Sequence, residues 1–99
     1  MITPTINYDY SKLDGIYNHF GWLDQLVKLK EELYEIIVEI NNILNGKPNK
    51  LNQEIADGLN VLLQIYHANK KDREEIDITM LEKQIRTLER IESKYYEAS

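Results

Sequence analysis

From Trp22 to Asn45, apolar residues recur every three or four positions: Leu26, Leu29, Leu33, Ile36, Ile37, Ile40, Ile43 and Leu44. That period predicts a long amphipathic helix over 22–45. Asn45-Gly46 supplies residues that tolerate a left-handed cap, and Pro48 cannot continue the helix, so the stop is chemically defined. A second helix is predicted over 50–69, with Asn49 as cap and Leu51, Ile55, Leu59, Leu62, Leu63, Ile65 and Tyr66 as its apolar sector. Gly58 interrupts that helix at a cost of about 1 kcal/mol relative to Ala, which points to close packing or a ligand beside it.

A third helix is predicted over 77–95, capped by Asp77. Its apolar positions, Ile78, Leu81, Ile85, Leu88, Ile91 and Tyr95, form a narrow stripe near heptad spacing. Such a stripe suits an edge or a subunit boundary. Lys70 to Ile76 reads as a charged connector, open to being partly helical. Residues 1–18 read as an irregular lead or a short helix, with Ser11 and Asp14 as the capping pair. The fold class expected is all-α: one domain over 1–99 with three main helices. Two wide apolar faces and one narrow one leave a core to be finished by oligomerisation. A four-helix-type bundle in a homodimer or homotetramer is the expected result.

Composition narrows the chemistry. In 99 residues there is no Cys, which removes disulfides, thiolate nucleophiles and Cys-based zinc sites. A net charge of −5 argues against a binder of nucleic acid polymers. No apolar run reaches the roughly 18 residues of a membrane span. Met1 to Tyr10 has no basic segment followed by an apolar stretch, so a cytoplasmic location is expected. The chain has neither a Gly-x-Ser-x-Gly string nor a Gly-rich phosphate loop, so a serine hydrolase and a P-loop enzyme have no footing.

The acids carry more information. The first long helix contains Glu31, Glu32, Glu35 and Glu39, and the second contains Glu54 and Asp57. Residues three apart on a helix lie about 60° from each other around its axis. Measured from Glu32, the apolar sector of the first helix centres about 80° to one side and Glu35 falls on the other. The same handed offset holds for Glu54 and Asp57. Antiparallel packing through the apolar sectors would therefore let Glu32, Glu35, Glu54 and Asp57 converge. Converging carboxylates repel one another and resist desolvation, a penalty that a divalent cation removes. Oxygen donors without His or Cys favour Mg²⁺, with Mn²⁺ as the alternative. Taken singly, an acid pair at a helix shoulder is more often solvated surface; it is the matching offset of two pairs that favours convergence.

Glu31-Glu32-x-x-Glu35 followed by Glu54-x-x-Asp57, within the text from Trp22 to Ala68, resembles the MazG-like all-α nucleoside triphosphate pyrophosphohydrolases. The resemblance implies Mg²⁺-dependent cleavage of a nucleoside triphosphate, deoxy forms included, to the monophosphate and pyrophosphate in nucleotide-pool housekeeping. It places Glu32, Glu35, Glu54 and Asp57 as metal ligands and Glu31 as the acid that orients the attacking water. It also implies dimers or tetramers with sites near subunit interfaces. Phosphoribosyl-ATP pyrophosphohydrolase belongs to the same superfamily and is the enzymatic alternative. A non-catalytic helical oligomer that binds a nucleotide or a protein is the alternative from another class.

Several further residues are candidates for nucleotide contact. Phe20 or Trp22 is placed to stack on a base, or to anchor the start of the helix. Gln25 and Lys28 could read base or sugar, although exposed polar helix residues are the commoner explanation, and Asn60 could touch a metal-bound water or the sugar or simply lie on the helix surface. Lys83 and Arg86, with Arg90 and Lys94 at helical spacing beyond them, offer cations for phosphates. They are equally consistent with a mixed-charge surface beside Glu82, Glu89 and Glu92. His19 and His67 lack a carboxylate in metal-binding register and read as structural or surface residues.

Overall fold

A computed structural model describes residues 9–98, with side chains to Lys94. Residues 1–8 of the expected lead and the side chain of Tyr95 lie outside the described residues. The described chain is helical with no strand: α1 (Tyr10–Phe20), α2 (Trp22–Leu44), α3 (Leu51–Ala68) and α4 (Lys70–Ala98). It falls into two compact units, the first ending at Ala68 and the second beginning at Asn69. No helix among the described residues is long and apolar enough to cross a membrane.

In the first unit, the short lead helix starts earlier than a Ser11 cap would set it. Asp9 is the cap: its Oδ1 accepts from the Ser11 and Lys12 backbone N–H groups at 3.1 and 3.3 Å and from Ser11 Oγ at 2.6 Å. Ser11 therefore donates to the capping carboxylate instead of capping, and those hydrogen bonds hold the Asp9 carboxyl below its ordinary pKa. Gly21, at φ +87°, separates α1 from α2, and Gly46, at φ +68°, ends the turn after α2. Both occupy backbone that a side chain disfavours. Lys47 N–H donates to Asn42 O at 2.8 Å, satisfying a terminal carbonyl of α2. Asn49 Oδ1 accepts from Leu51 N–H at 3.1 Å, as the sequence predicts.

α2 and α3 form an antiparallel hairpin with a heptad register. Glu39 Oε2 accepts from Lys50 N–H, Glu32 lies with Asp57, and Gln25 bonds Gln64, so each step is seven residues on both helices. The facing seam thus mixes these polar residues with Ile36, which reaches Gly58, and with the buried Val61. The apolar sectors instead remain partly open: Leu33, Ile37 and Leu44 on α2 and Ile55, Leu59 and Leu62 on α3 are all exposed. Gly58 lets the seam close. A Cβ built there would lie 2.9 Å from Ile36 Cδ1 and 4.0 Å from Glu32 Cβ, so a bare backbone admits the α2 side chains. α1 is tied to α3 by His67, whose ring stacks on Tyr10 at 4.1 Å and pairs with Asp14 at 3.2 Å. His67 thus links α1 to α3 through these two contacts.

The second unit is α4 alone. It begins at Lys70, not at Asp77, and the charged connector is helix. Asn69 Oδ1 accepts from Lys71 and Asp72 N–H at 3.0 and 3.2 Å, and no Gly or Pro between 70 and 76 breaks the helix. Asp77 consequently lies within the helix instead of capping it. Ile78, Leu81, Ile85, Leu88 and Ile91 are exposed along this helix.

Candidate metal centre

Glu32, Glu54 and Asp57 bring one carboxylate oxygen each to within 4.8 Å of one another. Their convergence follows from the seam. Glu32 and Asp57 occupy matching heptad steps, Glu54 precedes Asp57 by about one turn, and Gly58 keeps the two helices close enough to meet. Glu32 is buried, Glu54 half-buried and Asp57 exposed, so the trio opens to solvent on the Asp57 side. Glu32 Oε2 and Glu54 Oε2 are both buried with no hydrogen-bond partner among the described residues. A buried acceptor without a partner destabilises the fold, and the trio could hold a cation that would satisfy both.

The fourth predicted ligand, Glu35, is outside that trio but hydrogen-bonds Glu54. This bond is the largest influence raising the Glu54 pKa, followed by burial and by the charges of Glu35, Asp57 and Glu32. Lys28 supplies the one ion pair to the trio among the described residues. Its Nζ lies 3.0 Å from Glu32 Oε1 and 3.9 Å from Glu31 Oε2, and the hydrogen bond to Glu32 holds its pKa up. Lys28 is half exposed and flexible, so this contact partly neutralises Glu32 without closing the site.

The donor set fits a hard divalent cation: carboxylate oxygens, no nitrogen or sulfur, and an open side for water or phosphate. Glu31 lies at the exposed rim beside Lys28. Among the nucleotide-contact candidates, Gln25 is 4% exposed and donates to Gln64 Oε1 at 2.6 Å. Trp22 is exposed at the start of α2. The Asn60 backbone carbonyl accepts from Gln64 Nε2 at 2.9 Å. Lys83 and Arg86 belong to α4 in the second unit.

Sequence reasoning missed Gln64. The signal was present in the period: Gln25, Glu32 and Glu39 are polar at seven-residue spacing, and so are Asp57 and Gln64. Compared with models of known protein families, with curated proteins and with solved structures, the chain matches none.

Proposed function

We propose that this chain is a Mg²⁺-dependent nucleoside triphosphate pyrophosphohydrolase of the MazG-like kind, serving nucleotide-pool housekeeping in the cytoplasm. The observation that carries this reading is the carboxylate trio with its two buried, unpartnered oxygens. Glu32, Glu54 and Asp57 would hold the metal, with Glu35, beside Glu54, as a fourth ligand. Bound there, Mg²⁺ would neutralise phosphate charge and lower the pKa of water. Glu31, at the rim, is placed to orient the attacking water and take its proton. Lys28, already paired with Glu32, is placed to turn its ammonium to a phosphate oxygen. Hydrolysis forms one O–P bond at the α-phosphorus and releases the bridging oxygen with pyrophosphate.

The test is pyrophosphate release from a panel of ribo- and deoxynucleoside triphosphates, with Mg²⁺ and with EDTA. The expected result is metal-dependent release with monophosphate as co-product. Activity confined to phosphoribosyl-ATP would shift the assignment to that enzyme. Silence on every substrate would leave a helical binding module.

The same reading includes a second copy of the chain. Leu13 and Val61 are the buried hydrophobic residues among those described, which is a small core for helices this long. Leu33, Ile37 and Leu44 lie about 120° around α2 from Glu32, and Ile55, Leu59 and Leu62 about 160° around α3 from Asp57, in the same handed sense. In an antiparallel pair, both therefore fall on one side of the hairpin, and the acids fall toward the other. Two copies packing through those faces make a four-helix bundle with the acids outside its core. Sedimentation velocity across the micromolar range should give a dimer or tetramer; a monomer throughout that range would contradict this part of the reading.

A further inference from the structure

We infer that Asn45 is a site of spontaneous covalent modification, converting to aspartate and isoaspartate in the folded chain and loosening the turn between α2 and α3. The inference stands apart from the metal centre. Asn45 is the one asparagine of this chain that precedes a glycine. A glycine carries no Cβ to shield its backbone nitrogen. That nitrogen of Gly46 attacks Asn45 Cγ and forms a bond to it. The Cγ–Nδ2 bond breaks, and the amide nitrogen leaves as ammonia with the proton taken from Gly46. Water then opens the succinimide. Addition at Cγ gives aspartate, and addition at the main-chain carbonyl of residue 45 gives isoaspartate, with the chain running through Cγ. Water is the sole co-reactant.

The structure gives the pair access and shows what holds the reaction back. Asn45 and Gly46 are both exposed, and a Cβ built at Gly46 would meet no atom within 4 Å. Two hydrogen bonds oppose the attack. Asn45 Nδ2 donates to Asn41 O at 2.8 Å, which turns the amide back along α2. Gly46 N–H donates to Ile43 O at 3.0 Å, which occupies the attacking nitrogen. Both bonds belong to the end of a helix, where opening is local and costs the least free energy in a fold. Fraying of that turn releases both reacting groups while the rest of the hairpin stays folded. Asp14-Gly15 and Asp57-Gly58 offer the same ring, but they lie inside α1 and α3, and an ionised carboxylate resists the attack.

Either product weakens the turn. A carboxylate at position 45 cannot donate to Asn41 O, and it adds negative charge at the negative end of the α2 dipole. Isoaspartate also inserts a methylene into the backbone just before Gly46, whose φ of +68° belongs to the turn as built.

The experiment incubates the full chain at physiological temperature, native and in guanidinium chloride, and maps its peptides by mass spectrometry. The expected result is exchange of amide for acid at Asn45, with isoaspartate the larger product. The rate should rise with pH, because hydroxide removes the Gly46 proton. The native rate should lie within about tenfold of the denatured rate, since fraying at a helix end costs little. Gly46→Asn keeps a residue that tolerates positive φ but crowds the nitrogen, and should lose most of the conversion at position 45. Asn45→Asp should melt about 2–8 °C below wild type, in EDTA as in Mg²⁺. A native rate more than about a hundredfold below the denatured one would mean that the pair reacts only after global unfolding, and would overturn the inference. So would conversion that Gly46→Asn leaves unchanged, or an Asn45→Asp protein as stable as wild type.

Discussion

Glu54→Gln should reduce Mg²⁺-dependent pyrophosphate release by about 100-fold or more and should leave the metal-free protein at least as stable as wild type. The loss of activity follows from removing a ligand from the trio, since even residues that only support metal ligands cost about 10- to 100-fold when replaced. The stability result follows from charge. In the folded chain Glu54 is bonded to Glu35, partly buried, and close to Asp57 and Glu32, which together raise its pKa above the ordinary 4.5. A carboxyl whose folded pKa is raised binds its proton more tightly when folded than when unfolded. Its contribution therefore favours folding at low pH and declines as pH rises from about 4.5 through the raised value. Glutamine carries no such charge and should flatten that decline in EDTA. Mg²⁺ should raise the melting temperature of wild type by mass action, and the shift should shrink in Glu54→Gln. A variant that melts well below wild type without metal would show that Glu54 is structural and that the trio has been misread.

Gly58→Leu should destabilise the first unit by about 1–3 kcal/mol and also weaken the Mg²⁺ shift. At Gly58 even a Cβ meets Ile36 Cδ1 at 2.9 Å, so a branched side chain has no space without parting α2 from α3. Glu32 is the next neighbour, at 4.0 Å from that Cβ, and it moves with α2. Packing and metal binding thus fail together. Gly58→Ala is the informative control. The obstructing atom is the tip of a flexible side chain, and the gain in helix propensity is about 1 kcal/mol, so the two effects nearly offset. Thermal melts with and without Mg²⁺ read both quantities. A Gly58→Leu protein with wild-type stability and a wild-type Mg²⁺ shift would contradict the close seam.

The helices are legible in the sequence because of their apolar period and, for α2, a stop signal: α2 and α3 end within a residue of the expected bounds at 45 and 69. The acids are legible for the same reason, since residue spacing on a helix fixes direction. The face through which the helices meet is not. Periodicity predicts a seam of apolar sectors, whereas Gln25, Glu32 and Glu39 share the face toward α3 with Ile36, and Leu33 and Ile37 lie exposed beside it. Apolar period reports which face avoids water, not which neighbour covers it. The start of α4 also escapes it, because charged residues such as Lys70 and Glu75 are good helix formers and leave no apolar trace. The Asp14–His67 pair links positions far apart in sequence and carries no local signal.

The most direct test of the metal centre is a Mn²⁺ titration of the wild-type chain monitored by electron paramagnetic resonance of the free ion. Saturable binding that Mg²⁺ displaces, and that both Glu54→Gln and Asp57→Asn weaken strongly, is the predicted result. Free Mn²⁺ that rises linearly from the first addition, or binding that both variants retain, would contradict the assignment of Glu32, Glu54 and Asp57 as its ligands.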